Sequence, residues 1–165
     1  MTAVYIITQQ TKAIMTKDSS YYKARILEGQ TERYSIHKPE QILDNSCLLY
    51  GSTLHGRKEA VKEILKSSSK LPVPVIPDKG VYMLPSSSTK NKDCIWFSYY
   101  QIDFYEQRDA KTYVAFNDGT GIYANVSRSA FDSQFKRTSQ IIAHQHRSIF
   151  FGARPWTSFQ HTSIR

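Results

Sequence analysis

Tyr113-Val114-Ala115-Phe116-Asn117-Asp118-Gly119-Thr120-Gly121-Ile122-Tyr123-Ala124-Asn125-Val126 sets two runs rich in aromatic and β-branched residues on either side of an Asp-Gly pair. Asp-Gly adopts the positive backbone angles that a short turn between antiparallel strands requires, so the stretch reads as a tight hairpin. Upstream, residues 94–102 are apolar on both faces, with Ile95, Phe97 and Tyr99 on one and Trp96, Tyr100 and Ile102 on the other. That pattern predicts a central strand covered on both sides. Val81 to Leu84 reads as another strand, whereas Pro72, Pro74 and Pro77 restrict 73–76 to an edge strand or an extended loop. Short apolar runs at 5–7, 13–15, 22–27 and 33–36, broken by polar or glycine-containing turns, predict a small meander at the start of the chain.

Helical spacing enters between these strands. Pro39 suits a first helical turn, Ile42, Leu43, Ser46, Leu49 and Tyr50 recur every three or four residues, and Gly51 supplies a stop. From Leu54 a second helix carries Val61, Ile64 and Leu65 on one side and Lys58, Lys62 and Lys66 on another, until Ser67-Ser68-Ser69-Lys70 ends it. Ser129 to Asp132 has the spacing of a reciprocally capped start for a late helix running to about His146, with Phe131, Phe135, Thr138 and Ile142 along one side. The fold class is therefore α+β: a mostly antiparallel β-sheet with two or three helices in a single domain over 1–147, followed by an irregular tail over 148–165.

The chain has 165 residues, of which 40% are hydrophobic, enough for one compact core. It carries 22 Lys and Arg against 14 Asp and Glu, a formal charge of +8, so a polyanion is the first partner to consider. The surplus is uneven. Residues 54–92 hold eight basic and three acidic residues, 119–165 hold six and one, and the intervening 93–118 hold two and five. The bland account of the Lys58, Lys62 and Lys66 stripe is a solvated face whose lysines pair with Glu59 and Glu63 three positions away. No apolar run approaches the roughly 18 residues of a membrane span, which points to a cytoplasmic protein with no membrane partner.

Chemistry is sparse. Cys47 with His37 or His55 and Asp44 would make a nucleophilic set on paper, but its neighbours Ile42, Leu48 and Leu49 favour a buried thiol. His144 and His146 point to different faces of a helix, which does not suit a metal, and Asp103, Glu106 and Asp109 form an acidic patch with no apolar pocket implied. No glycine-rich phosphate loop exists, and Lys79-Gly80-Val81-Tyr82 matches an RNA-recognition motif only at its start. A non-enzymatic nucleic-acid binder without cofactor is the expectation.

Asn45-Ser46-Cys47-Leu48-Leu49-Tyr50-Gly51-Ser52, Gly56-Arg57-Lys58, Ser69-Lys70-Leu71-Pro72-Val73, Tyr82 to Pro85, Trp96 and the segment from Phe131 to Thr138 with Arg137-Thr138 stand in an order and spacing that resemble the competence transcription factor (ComK) family of Gram-positive bacteria. The resemblance spans roughly residues 36–146. It implies a DNA-binding activator of DNA-uptake genes that reads AT-rich promoter boxes as a dimer or pair of dimers, helps RNA polymerase engage, and is captured by an adaptor for an ATP-dependent protease. Family members continue with a charged, helix-prone C-terminal segment serving activation and adaptor-dependent turnover, and 148–165 departs from it. AT-rich minor grooves are narrow and strongly negative, which favours inserted Arg and Lys over a base-reading helix. The expected contacts are Arg57 and Lys58 first, supported by Lys62, Lys66 and Lys70 and by Lys136 and Arg137 of the late helix. The structural alternative for Arg57 is a bridge to Asp44 or Glu40. A rival reading is an RNA-binding protein that stacks bases on sheet aromatics.

Overall fold

Antiparallel pairing organises the whole β-structure, as the hairpin predicts. The structure, a computed structural model, describes residues 3–151, with side chains described through Arg147. Strands β1 (Thr11–Thr16), β2 (Ala24–Glu28), β3 (Thr31–Ser35), β4 (Val73–Ile76), β5 (Val81–Pro85) and β6 (Ile95–Ser98) form a six-stranded sheet in the order β3-β2-β1-β6-β5-β4. Strands β7 (Ile102–Arg108), β8 (Lys111–Phe116) and β9 (Gly121–Ala124) form a second, three-stranded sheet. The β8–β9 hairpin is registered Val114 to Ile122 and Ala115 to Gly121, and its turn closes through Gly119 N–H to Phe116 O at 3.0 Å. Gly119 sits at φ +90°, where a side chain is disfavoured. The β1-β2-β3 meander is present, and β4 with its Pro74 lies at the sheet edge, where a missing N–H breaks no interior ladder.

Helices α1 (Pro39–Leu49) and α2 (Leu54–Leu65) cover one face of the large sheet, where Ile42, Leu43 and Cys47 pack on Ile14, Ile26, Val75, Met83 and Trp96. The other face carries Ala13, Leu84 and Phe97, which meet Val114 and Phe116 of the small sheet and Phe131 of α3 (Arg128–Phe151). Phe97 lies between the layers, 6.1 Å from the Phe116 ring and 5.3 Å from Phe131. An ion pair between buried Lys12 and a carboxylate at the surface ties the two sheets together. Lys12 Nζ on β1 donates to Asp118 Oδ2 at 2.8 Å and Thr120 Oγ1 at 2.9 Å, both in the hairpin turn.

Four expectations need correction. Residues 5–7 form no strand; Ile7 N–H donates instead to Ser46 Oγ on α1, at 2.9 Å. The stretch 94–102 is not one strand: β6 ends at Ser98, a single tight helical turn over Tyr99–Gln101 redirects the chain, and Ile102 opens β7 in the other sheet. Ser127 rather than Ser129 caps α3, accepting from Ala130 N–H at 3.2 Å, while Asp132 is drawn away to Tyr105 and Lys136. Finally, α3 continues past His146 to Phe151, and the remainder of the expected tail, 152–165, lies outside the described residues.

Candidate nucleic-acid interface

Two side chains fix the start of α2. Thr53 Oγ1 accepts from Gly56 N–H at 2.8 Å and Asp44 Oδ1 accepts from Leu54 N–H at 3.0 Å, satisfying amides that the helix itself leaves unbonded. With Val61 turned into the core, Lys58, Lys62 and Lys66 face outward, each near a carboxylate: Lys62 to Glu59 at 2.9 Å, Lys66 to Glu63 at 3.8 Å and Lys58 to Glu40 at 3.9 Å. The bridge to Glu40 considered for Arg57 is thus made by Lys58. Arg57 instead donates through Nη2 to Tyr50 O, near the end of α1, at 3.4 Å, and its Nε is buried without a hydrogen-bond partner.

The other expected contacts divide. Lys66 and Lys70 both adopt left-handed backbone conformations, which let the chain pass tightly from α2 into β4. That passage is held from α3 by Arg137, whose guanidinium donates to Lys70 O at 3.1 Å, Ser69 O at 2.9 Å and Ser67 Oγ at 3.2 Å, and also to Gln134 Oε1. Burial pulls the Arg137 pKa below the usual arginine value. Its neighbour Lys136 is exposed and pairs with Asp132 at 2.8 Å; Lys136 first, and then the Tyr105 hydroxyl, hold the Asp132 carboxyl below the usual range. The structure therefore brings Lys66, Lys70 and Arg137 around one loop and leaves Lys136 elsewhere on α3, with Arg137 engaged in holding that loop.

Among the described residues no nucleophilic set assembles around Cys47. Its thiol is buried, and burial raises its pKa, which keeps it protonated; Asp44 is committed to α2, and the His37 ring lies 3.5 Å from Ser35 Oγ. Among the described residues no group of three or more His, Cys, Asp and Glu is placed to hold a metal ion, and no helix is long and apolar enough to cross a membrane.

A different basic feature lies where β1 ends, β2 begins, α1 begins and the β5–β6 loop returns. There an open hollow of about 250 Å³ is lined by Lys17, Lys23, Lys38, Lys90 and Lys92 over a floor that includes Pro39 and Trp96. Among the described residues none of these five lysines has a carboxylate within 4.0 Å. Glu40 is the one acidic lining residue, and Lys58 already approaches it. A second hollow shares Thr16 and Lys92 with the first and extends toward Lys111. Beside them, Lys17 Nζ lies 5.4 Å from the Tyr34 ring centroid, Tyr34 lies 5.5 Å from Tyr22, and Tyr22 lies 4.9 Å from Tyr21. Residues 86–92 read in sequence as a polar, partly basic loop, and the five lysines come from separate segments that share no local period.

Comparison with known proteins places this architecture. The family model described as ComK protein matches residues 2–149. Over 117 residues the chain is 32% identical to the competence transcription factor of Bacillus subtilis (strain 168), an alignment covering 70% of this chain and 61% of that relative. The chain thus matches less than two thirds of the relative's length. No solved structure matches. Since the family model takes in all but two of the described residues, this chain belongs to the ComK family.

Proposed function

We propose that this protein is a non-enzymatic, DNA-binding regulator of competence genes that engages AT-rich duplex through basic residues at the narrow minor groove. It acts as a dimer or pair of dimers beside RNA polymerase. Its membership of the family supports the class of function, because the relative from B. subtilis is named a competence transcription factor. The observation that carries DNA binding is the strip of outward lysines on α2, Lys58, Lys62 and Lys66, whose present partners are surface carboxylates, continued by exposed Lys70 in the loop after it. Such pairs contribute about 0.2–1 kcal/mol each, so a phosphate displaces them at little cost. Arg57 borders this strip, and Lys136 adds charge from α3. Arg137 is the exception, because leaving its buried acceptors costs more than a surface exchange.

The RNA-binding alternative would place bases on the rings of the small sheet, exposed Phe104 and Tyr123 and half-buried Tyr113. Arg108 already covers the Tyr113 ring at 4.0 Å and pairs with Glu106 at 2.6 Å, so two of the three rings and the nearest arginine are engaged with each other or with an acid before any base arrives. Competition of AT-rich duplex, GC-rich duplex and single-stranded RNA for the purified protein, repeated across salt concentrations, separates the readings. AT-rich duplex should win, with a steep loss of affinity as salt rises. Equal affinity for GC-rich duplex defeats sequence selection at the minor groove, and preference for RNA defeats the DNA reading.

A further inference from the structure

We propose that the hollow lined by Lys17, Lys23, Lys38, Lys90 and Lys92 seats the phosphate backbone of duplex DNA, with Tyr21, Tyr22 and Tyr34 as its outer wall. The inference rests on the reading that the protein binds duplex DNA, and it assigns a further phosphate contact, in addition to the α2 strip, to a surface that helical periodicity does not reveal. Lys12, Lys58, Lys62, Lys66 and Lys136 each have a carboxylate within 3.9 Å. The five lysines of the hollow have none that close among the described residues, Glu40 being the one acidic residue of the lining and Lys23 donating only to Ser19 O at 3.4 Å, so an anion from outside meets positive charge not yet held in an ion pair. The stems of Lys17 and Lys23 are half-buried, which confines their ammonium groups to the rim. The first turn of α1, at Lys38 and Pro39, opens on the same hollow and adds the positive end of an eleven-residue helix.

Shape and surroundings favour a duplex backbone over a compact ligand or a single strand. The hollow is open, and through Thr16 and Lys92 it continues into its neighbour toward Lys111, where the one acidic lining residue, Asp93, accepts from Asn125 at 2.9 Å, making a track rather than a closed pocket. Tyr21, Tyr22 and Tyr34 pack against one another and against Lys17, so they form a wall rather than spaced platforms for successive bases.

The test uses the full chain, a labelled AT-rich duplex, and the pairs Lys90→Gln with Lys92→Gln and Lys17→Gln with Lys23→Gln. Each pair should flatten the plot of log affinity against log salt by about 2, from roughly 0.9 per lost phosphate contact, and weaken binding more than tenfold at moderate salt. Thermal unfolding should not move, and Lys→Arg versions should restore the slope. A single Lys90→Glu in the exposed loop supplies a folded variant should a pair fail to fold, and it should weaken binding at least as much as Lys90→Gln. Unchanged slopes in these variants, with wild-type protein still binding duplex, overturn the proposal and leave DNA binding standing. Absence of wild-type binding to duplex at low salt removes the functional reading itself. Equal losses against heparin and single-stranded DNA, with no preference for duplex in the wild type, overturn the assignment to a duplex backbone.

Discussion

The lysines of α2 and those of the hollow are chemically identical and electrostatically opposite. Along α2, Lys62 and Lys66 each follow a glutamate by three positions, so compensation is written into one helix and is complete at 2.9 and 3.8 Å. In the hollow, Lys17 and Lys23 flank the β1–β2 turn, Lys38 precedes α1, and Lys90 and Lys92 belong to a loop, so the charges converge only through folding. A count of basic residues ranks the two regions alike. The distances to carboxylates do not: one region must exchange partners to take a phosphate, and in the other, among the described residues, no carboxylate lies within 4.0 Å of a lysine.

Lys12 marks the far end of this comparison, being both buried and paired. Asp118→Asn should remove about 2 to 3 kcal/mol of stability in urea denaturation, because it takes the carboxylate from the buried Lys12 ammonium and leaves Thr120 Oγ1 as its remaining hydrogen-bond partner. The same contact fixes a pH response. Lys12 first, and then Thr120, draw the Asp118 pKa down from 3.8 to about 2, so its stabilisation is present above pH 4 and is lost as pH falls toward 2. If wild type and Asp118→Asn lose stability in parallel over that interval, the pair is not the link between the sheets. Arg137→Ala ranks next, at about 2 kcal/mol from the loss of charge-assisted hydrogen bonds around 67–70, with little change in DNA affinity of the folded protein. A more than tenfold loss of affinity without loss of stability would return Arg137 to the interface. The smallest stability effect belongs to Lys62→Ala with Lys66→Ala, within about 0.5 kcal/mol. Its salt slope should change less than that of Lys90→Gln with Lys92→Gln; the reverse order would put the principal contact on α2.

The division between legible and illegible follows from the range of the forces. The 113–126 hairpin, the meander and the proline-marked edge strand are governed by local backbone preferences, which a sequence displays directly. The corner at Tyr99–Gln101 is not local: Ile95 to Phe97 and Ile102 are all buried, and only the need to place Ile102 in another sheet breaks the run. Strand β7 escaped for a related reason. Beyond Ile102 and Tyr105 its side chains face solvent, so no apolar alternation marks it. At the site, the stripe on α2 was readable as a helical period and its pairing with Glu59 and Glu63 as the alternative account, whereas the Arg137 clamp and the lysine hollow depend on residues brought together from distant parts of the chain.

The junction of β1 with β6 also sets an order of assembly. Ile14 pairs with Trp96 across more than half of the described chain, while β7, β8 and β9 are joined by short connections between neighbours. Closing so long a loop carries the larger entropic cost, and contacts of this separation slow folding relative to local hairpins. The hollow draws lysines from both sides of that closure, so it does not exist in a chain that has formed its small sheet alone. In a refolding experiment, duplex binding should therefore recover with the last kinetic phase, after the hairpin amides have gained protection from hydrogen exchange.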